Sequence, residues 1–165
     1  MGESTTPDGT FVQVVASGDF SCAIDTDGAI QCWGSNVLGQ SSPPAGNFVD
    51  LAIGALHGCG INAAGTIECW GENNVGQGTP PEGSFTDITA GAEHTCAVDS
   101  TGSIQCWGAG MVDSGMYPDF GQSLPLASGE FQSLAAGPLH TCGLTTANTI
   151  QCWGNADHGK TIPPG

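Results

Sequence analysis

Residues 20–34 read Phe-Ser-Cys-Ala-Ile-Asp-Thr-Asp-Gly-Ala-Ile-Gln-Cys-Trp-Gly, with nine residues between Cys22 and Cys32. If these cysteines face each other across an antiparallel hairpin, Ile24 faces Ile30 and one face of the pair is apolar. The loop then left over is Thr26-Asp27-Gly28, whose last position requires a positive φ in the common bulged turn. Two short strands joined by a tight turn are the expected local structure.

The same reading holds three more times. Every tryptophan follows a cysteine, in Cys32-Trp33, Cys69-Trp70, Cys106-Trp107 and Cys152-Trp153. Units begin at Phe11, Phe48, Phe85 and Phe131, which gives periods of 37, 37 and 46 residues. The registration that sets Ile24 opposite Ile30 also pairs Ile61 with Ile67, Val98 with Ile104 and Leu144 with Ile150. Gly28, Gly65 and Gly102 hold the positive-φ position, and then Asn148, the residue that tolerates left-handed backbone best after glycine. The nine extra residues of the third unit fall after Trp107, since 24 positions separate Trp107 from Phe131 where 15 separate Trp33 from Phe48. The expected organisation is an N-terminal segment 1–10 and blades at 11–47, 48–84, 85–130 and 131–165. Thr6-Pro7-Asp8-Gly9-Thr10 resembles Pro80-Pro81-Glu82-Gly83-Ser84, so the first segment reads as the tail of an upstream repeat.

Opposed positions on neighbouring strands are close enough to bridge, and this assigns the eight cysteines as Cys22–Cys32, Cys59–Cys69, Cys96–Cys106 and Cys142–Cys152. A rival pairing between units, as in Cys32–Cys59 and Cys69–Cys96, leaves the terminal cysteines without equivalent partners. Zinc fits less well, because the pattern lacks close C-x2-C knuckles. Four disulfides imply an oxidising compartment, and the expected localisation is extracellular or at the cell surface.

Composition narrows the function. Sixteen acidic side chains against one basic one leave a net charge of −15, which opposes nucleic-acid binding. Charged residues are 10% of the chain, and 27 glycines and 10 prolines favour strands and turns over helices. No apolar run approaches the roughly 18 residues of a membrane helix, so membrane insertion is not expected. The opening Met1-Gly2-Glu3 has no basic n-region followed by an apolar stretch, so a secretory leader would already have been removed.

Ser17-Gly18-Asp19-Phe20-Ser21-Cys22 with Trp33-Gly34-Ser35-Asn36-Val37-Leu38-Gly39-Gln40 resembles a repeat of the regulator-of-chromosome-condensation family. Gly54-Ala55-Leu56-His57-Gly58-Cys59 with Trp70-Gly71-Glu72-Asn73-Asn74-Val75-Gly76-Gln77 is similar, as is Gly91-Ala92-Glu93-His94-Thr95-Cys96 with Trp107-Gly108. In look it is closest to the secreted bacterial branch, which includes a propeller-type β-lactamase inhibitor protein. The resemblance implies an all-β fold in which each repeat supplies one blade of a β-propeller, usually of seven blades. Four tandem blades of about 37 residues, each with an internal disulfide hairpin, would form either a four-bladed propeller or an arc completed by another chain. Closing alone requires about 90° per blade instead of about 50°. The nuclear member's wedge loop has no counterpart here.

Candidate chemistry is sparse. His57, His94 and His140 precede their first cysteine by two residues, with Phe20 in that place in the first unit, which favours a structural role between blades. The tryptophans read as anchors between blades. Asp25-Thr26-Asp27-Gly28 has part of a calcium loop, but Asn62-Ala63-Ala64-Gly65 and Thr145-Thr146-Ala147-Asn148 lose the ligands, so turn chemistry explains it. No Gly-x-Ser-x-Gly, His-Glu-x-x-His or phosphate-binding loop occurs, and no catalytic residue, metal or cofactor is assigned. The insertion does stand out. Met111, Asp113, Met116, Tyr117, Asp119 and Phe120 form an apolar, adaptable loop with two carboxylates, which is either a partner-contact surface or a self-packed surface loop. The expected function is a non-catalytic extracellular scaffold for protein–protein binding. The alternative is a structural subunit that assembles with copies of itself through blade contacts into a ring or filament, and the third reading is a propeller enzyme.

Overall fold

Four three-stranded antiparallel sheets follow one another along the chain in the computed structural model, which describes residues 7–125, 129–159 and 161. Blade 1 comprises β1 (Phe11–Ser17), β2 (Phe20–Asp25) and β3 (Ile30–Gly34), and blade 2 comprises β4 (Phe48–Ile53), β5 (His57–Asn62) and β6 (Ile67–Gly71). Blade 3 has β7 (Phe85–Ala90), β8 (His94–Asp99) and β9 (Ile104–Gly108), followed by a small hairpin of β10 (Asp113–Met116) and β11 (Asp119–Phe120). Blade 4 has β12 (Phe131–Gly137), β13 (His140–Thr145) and β14 (Ile150–Gly154).

The second and third strands of every blade take the register read from the cysteines. Cys22 opposes Cys32 and Ile24 opposes Ile30, and the pairs Ile61/Ile67, Val98/Ile104 and Leu144/Ile150 repeat it. All four disulfides lie within blades, with Cα atoms 4.0–4.1 Å apart. The turn position has φ of 86° at Gly28, 84° at Gly65, 82° at Gly102 and 61° at Asn148. Asp25 Oδ1 accepts from the backbone N–H groups of Asp27 and Ala29, both at 3.0 Å, and Asn62 and Asp99 do the same in their blades. These side chains shape turns.

Each blade is a hairpin plus a third strand. Residues 11–17 and their equivalents pair with the middle strand through a bulge that leaves Val12, Val49, Thr86 and Gln132 without an opposite number. The bulge breaks the two-residue alternation, so this strand is poorly visible in the hydrophobic pattern.

First strands of successive blades pack on each other and line the inside of the array. One apolar cluster joins Phe20, Cys22, Ile24 and Ile30 of blade 1 to Phe48, Leu51, Ile53 and Trp70 of blade 2. A second joins Ile61 and Ile67 to Phe85, Ile88 and Trp107. A fully buried phenylalanine such as Phe48 contributes roughly 2–3 kcal/mol by burial. Each turn also fixes the next blade: Phe48 N donates to Gly28 O at 2.7 Å, and Phe85 N and Phe131 N donate to Gly65 O and Gly102 O at 2.8 Å.

The array is an open arc. Leu51 and Ile88 are 2% and 7% exposed between blades, whereas Val14 at the same place in blade 1 is 67% exposed. At the other end Ile150 is 47% exposed, where Ile30 and Ile67 are 8%. The four blades thus form an arc and not the closed four-bladed ring that was one of the two forms expected.

Candidate functional site

Among the described residues, the insertion builds the largest departure from the repeat, a hairpin of β10 and β11. Eight of its nine extra residues lie between Gly108 and Gln122, which are 14 positions apart where Gly34 and Gln40 are 6 apart; the ninth follows Gln122. Gln122 keeps the job of its counterparts. Gln40 Oε1 accepts from Leu38 N at 2.8 Å, Gln77 Oε1 from Val75 N at 3.0 Å and Gln122 Oε1 from Phe120 N at 2.8 Å. The added residues are thereby pinned at their base, where Gln122 Nε2 also donates to Pro118 O. Gly110 at φ 82° donates its N–H to Asp119 Oδ1 at 2.8 Å, and a Cβ there would run into the Gln122 amide. Ser123 Oγ donates to Ala109 O at 2.7 Å, tying the base to the end of β9.

The six candidate contact residues separate into two groups. Met111, Met116 and Tyr117 point outward, with Met116 70% and Tyr117 63% exposed. Asp119 and Phe120 are half-buried and hold the hairpin down, and exposed Asp113 accepts from Gly115 N at 3.1 Å. Phe120, Asp113, Leu124 and Trp153 border a cleft of about 300 Å³ between the hairpin and blade 4. The Tyr117 hydroxyl donates to the Glu93 carboxylate on the β7–β8 turn. That bond, with lesser contributions from burial and from the charges of Glu93 and Glu72, holds the phenol above its ordinary range.

Inside the arc, small and aliphatic side chains line two shallow clefts of about 390 and 290 Å³, among them Ala16, Ile53, Ala90 and Ala136. Two carboxylates stitch the inner strands together. Gln13 Nε2 donates to Asp50 Oδ1 at 2.9 Å, and Leu134 N donates to Asp87 Oδ2 at 2.7 Å. Burial pushes the Asp87 carboxyl up to about 6, with Asp50 adding to the effect and the Leu134 N–H opposing it. Sequence reasoning passed over this row. Its only signal is that Gln13, Asp50, Asp87 and Ser133, all polar, share one repeat position inside otherwise apolar strands.

His57 Nε2 lies 2.8 Å from Thr95 Oγ1, and His94 Nε2 lies 2.8 Å from Thr141 Oγ1, each across a blade boundary. A hydroxyl beside an imidazole is the arrangement of an activated nucleophile, but all four residues have 0% exposure and the pair recurs at successive boundaries. Burial lowers the imidazoles to about 4 at His57 and about 3 at His94, so both are neutral at pH 7. Among the described residues no group of three or more His, Cys, Asp or Glu side chains is placed to hold a metal ion. No described helix is long and apolar enough to cross a membrane.

These sheets, arranged around a common inner surface, are blades of a β-propeller. The chain belongs to the regulator of chromosome condensation (RCC1) repeat family, whose repeat model matches residues 11–40, 85–110 and 131–160. Comparison with curated protein sequences gives no match. Among solved structures, the ectodomain of the Physcomitrella patens receptor kinase CR4 is similar at 25% identity and a TM-score of 0.77, covering 97% of this chain and 45% of its own. The CRINKLY WD40 ectodomain of the Arabidopsis thaliana receptor kinase ACR4 is similar at 28% identity and a TM-score of 0.70, covering 89% of this chain and 51% of its own. Prp20p from Saccharomyces cerevisiae, whose structure was described with its binding to Gsp1p and histones, shares the fold at 16% identity and a TM-score of 0.77, covering 98% of this chain and 49% of its own. The chain therefore spans about half the length of these relatives.

Proposed function

We propose that this chain is a non-catalytic, extracellular scaffold for protein–protein binding, and that the β10–β11 hairpin is its contact surface. The observation that carries this is the outward display of Met116 and Tyr117 on a hairpin anchored at its base by Gln122, Asp119 and Ser123. Anchored aromatic and methionine side chains bind without a large ordering cost. Glu93 and Glu72 beside Tyr117, on a chain of net charge −15, favour a partner with a basic contact segment. Two of the similar structures are receptor ectodomains, and Prp20p was described with protein partners, which supports a binding role. The four disulfides support an oxidising location.

The test is capture from the extracellular medium of the source on immobilised oxidised chain, followed by titration of the purified partner. A Met116→Ser, Tyr117→Ala double variant is expected to bind more than about 10-fold more weakly. A Thr101→Ala variant on the opposite rim is expected to bind as the unaltered chain does. A partner indifferent to the hairpin variant would remove the hairpin as the contact surface.

A second reading is favoured by the exposure of Val14 and Ile150: the chain is a structural subunit joined to others of its kind through its end blades.

A further inference from the structure

The insertion adds a wall to a place that recurs between blades. Trp70, Trp107 and Trp153 donate Nε1 to the carbonyl oxygens of Gln40, Gln77 and Gln122 in the preceding loops, at 2.9, 2.9 and 2.8 Å. Among the described residues, only the loop before Gln122 carries a hairpin, β10–β11. Asp113 and Phe120 are directly opposed across its two strands, so both side chains leave one face of the ribbon, and both line the cleft that Trp153 also lines. Hairpin and blade 4 are fixed to the same residue: Phe120 N donates to Gln122 Oε1 at 2.8 Å, and Trp153 Nε1 donates to Gln122 O. A Cβ at Gly121 would come within 3.3 Å of Asp113 Cβ, so glycine keeps the space beside the carboxylate clear.

The cleft is therefore preformed, with Phe120, Leu124 and Trp153 as its apolar lining and Asp113 as its one carboxylate. Its chemistry selects an occupant. A neutral apolar side chain would cover the Asp113 carboxylate without pairing it, and an anion would meet both that carboxylate and a chain of net charge −15. Lysine brings a positive charge on a strongly hydrated head. Arginine brings a planar, weakly hydrated guanidinium that stacks on an aromatic ring and forks onto a carboxylate, at the end of a stem that covers aliphatic surface. Phe120, Asp113 and Leu124 offer those three contacts in one cleft.

We infer that this cleft seats one arginine side chain of the protein partner, lying along it with the guanidinium on Asp113 and Phe120 and the stem against Leu124. The inference rests on the partner-contact reading of the hairpin given above, and it names the side chain and the place where that side chain sits. The 165 residues contain no arginine, so a second copy of them cannot supply it.

The test titrates the oxidised chain with an end-blocked Gly-Gly-Arg-Gly-Gly peptide and with its lysine, leucine and citrulline analogues, the last matching arginine in shape without its charge. Nuclear magnetic resonance follows the indole N–H of Trp153, and calorimetry gives the affinity. The arginine peptide is expected to saturate the cleft with a Kd of about 1 mM, weakened by salt, with the lysine peptide several-fold weaker and the citrulline and leucine peptides more than about 10-fold weaker. Asp113→Asn keeps an oxygen for Gly115 N and is expected to abolish the preference for arginine over citrulline. Leu124→Lys places a tethered cation beside Asp113 at an exposed position and is expected to weaken the arginine peptide more than about 10-fold. Near-ultraviolet spectra establish that both variants keep their fold. Equal binding of the citrulline or leucine peptide, no Trp153 shift with about 10 mM arginine peptide, or a purified partner whose affinity Asp113→Asn leaves unchanged would each overturn the arginine seat. Met116 and Tyr117 do not line the cleft, so the Met116→Ser, Tyr117→Ala variant should bind the peptide as the unaltered chain does. A partner that needs this outward pair but not Asp113 would therefore overturn the seat and leave the contact surface standing. A partner indifferent to the outward pair would remove that surface, while the peptide titration would still decide the seat.

Discussion

The imidazole of His94 lies 2.8 Å from the hydroxyl of Thr141 across the boundary between blades 3 and 4, with both residues fully buried. A double-mutant cycle should expose this coupling. His94→Phe and Thr141→Val each remove one polar partner and leave the other short of a hydrogen bond, at a cost of about 1–3 kcal/mol. The double variant is expected to lose less than the sum by about 1 kcal/mol, measured from denaturant midpoints. Strict additivity would mean that the pair is only a near approach.

Stability should fall on acidification. In the folded chain His57 and His94 are held near 4 and 3, below the ordinary imidazole value of 6.5, so the unfolded chain binds more protons between these limits. Their contribution is complete above pH 6.5 and drains away as pH drops toward 4, on the order of 3 kcal/mol for His57. Chemical denaturation at pH 7, 5.5 and 4.5 checks this. A flat profile would contradict the buried, neutral imidazoles.

Asp87 acts in the opposite sense. Its folded value of about 6 exceeds the ordinary 3.8, so its contribution is present below pH 3.8 and lost as pH rises through 6. Asp87→Asn keeps an oxygen for Leu134 N and removes the charge. The variant should be more stable at pH 7.5 by about 1 kcal/mol, discounted for partial exposure, and unchanged near pH 4. Parallel melts at the two pH values decide it.

The turn position should discriminate between side chains. Asn148→Gly is expected to be neutral or stabilising, whereas Gly65→Val should cost more than about 1 kcal/mol. At Gly65 the φ of 84° strains a β-branched residue, and a Cβ would sit 2.5 Å from Ser84 Oγ. Equal tolerance at both positions would misplace the turn.

The hairpins were legible because three signals agree at each one. A cysteine pair, an aliphatic pair and a left-handed turn residue all demand one register, and Asn148 in place of glycine strengthens the reading. The first strands were less legible because the bulges at Val12, Val49, Thr86 and Gln132 shift the alternation just where it would be counted. The hairpin insertion was located, but the division of labour within it was not. That Asp119 and Phe120 anchor while Met116 and Tyr117 face outward depends on Gln122, whose role comes from the repeat and not from the insertion. The row containing Asp50 and Asp87 becomes a feature only when neighbouring blades bring it together.

Peptide mapping without reduction should find no free thiol and four links, each within one unit; any link between neighbouring units would refute the pairing. Loop entropy gives roughly 2–3 kcal/mol per bridge, so reduction should lower the unfolding midpoint sharply.

Because every disulfide begins and ends inside one blade, no cross-link spans a blade boundary. Blade number and oxidative chemistry are thereby independent: duplication or deletion of a whole unit in the gene strands no cysteine and rewires no bridge. A chain built in this way can change its curvature and reach over generations by unequal recombination, while the cysteines of every intermediate can still pair within their own blades.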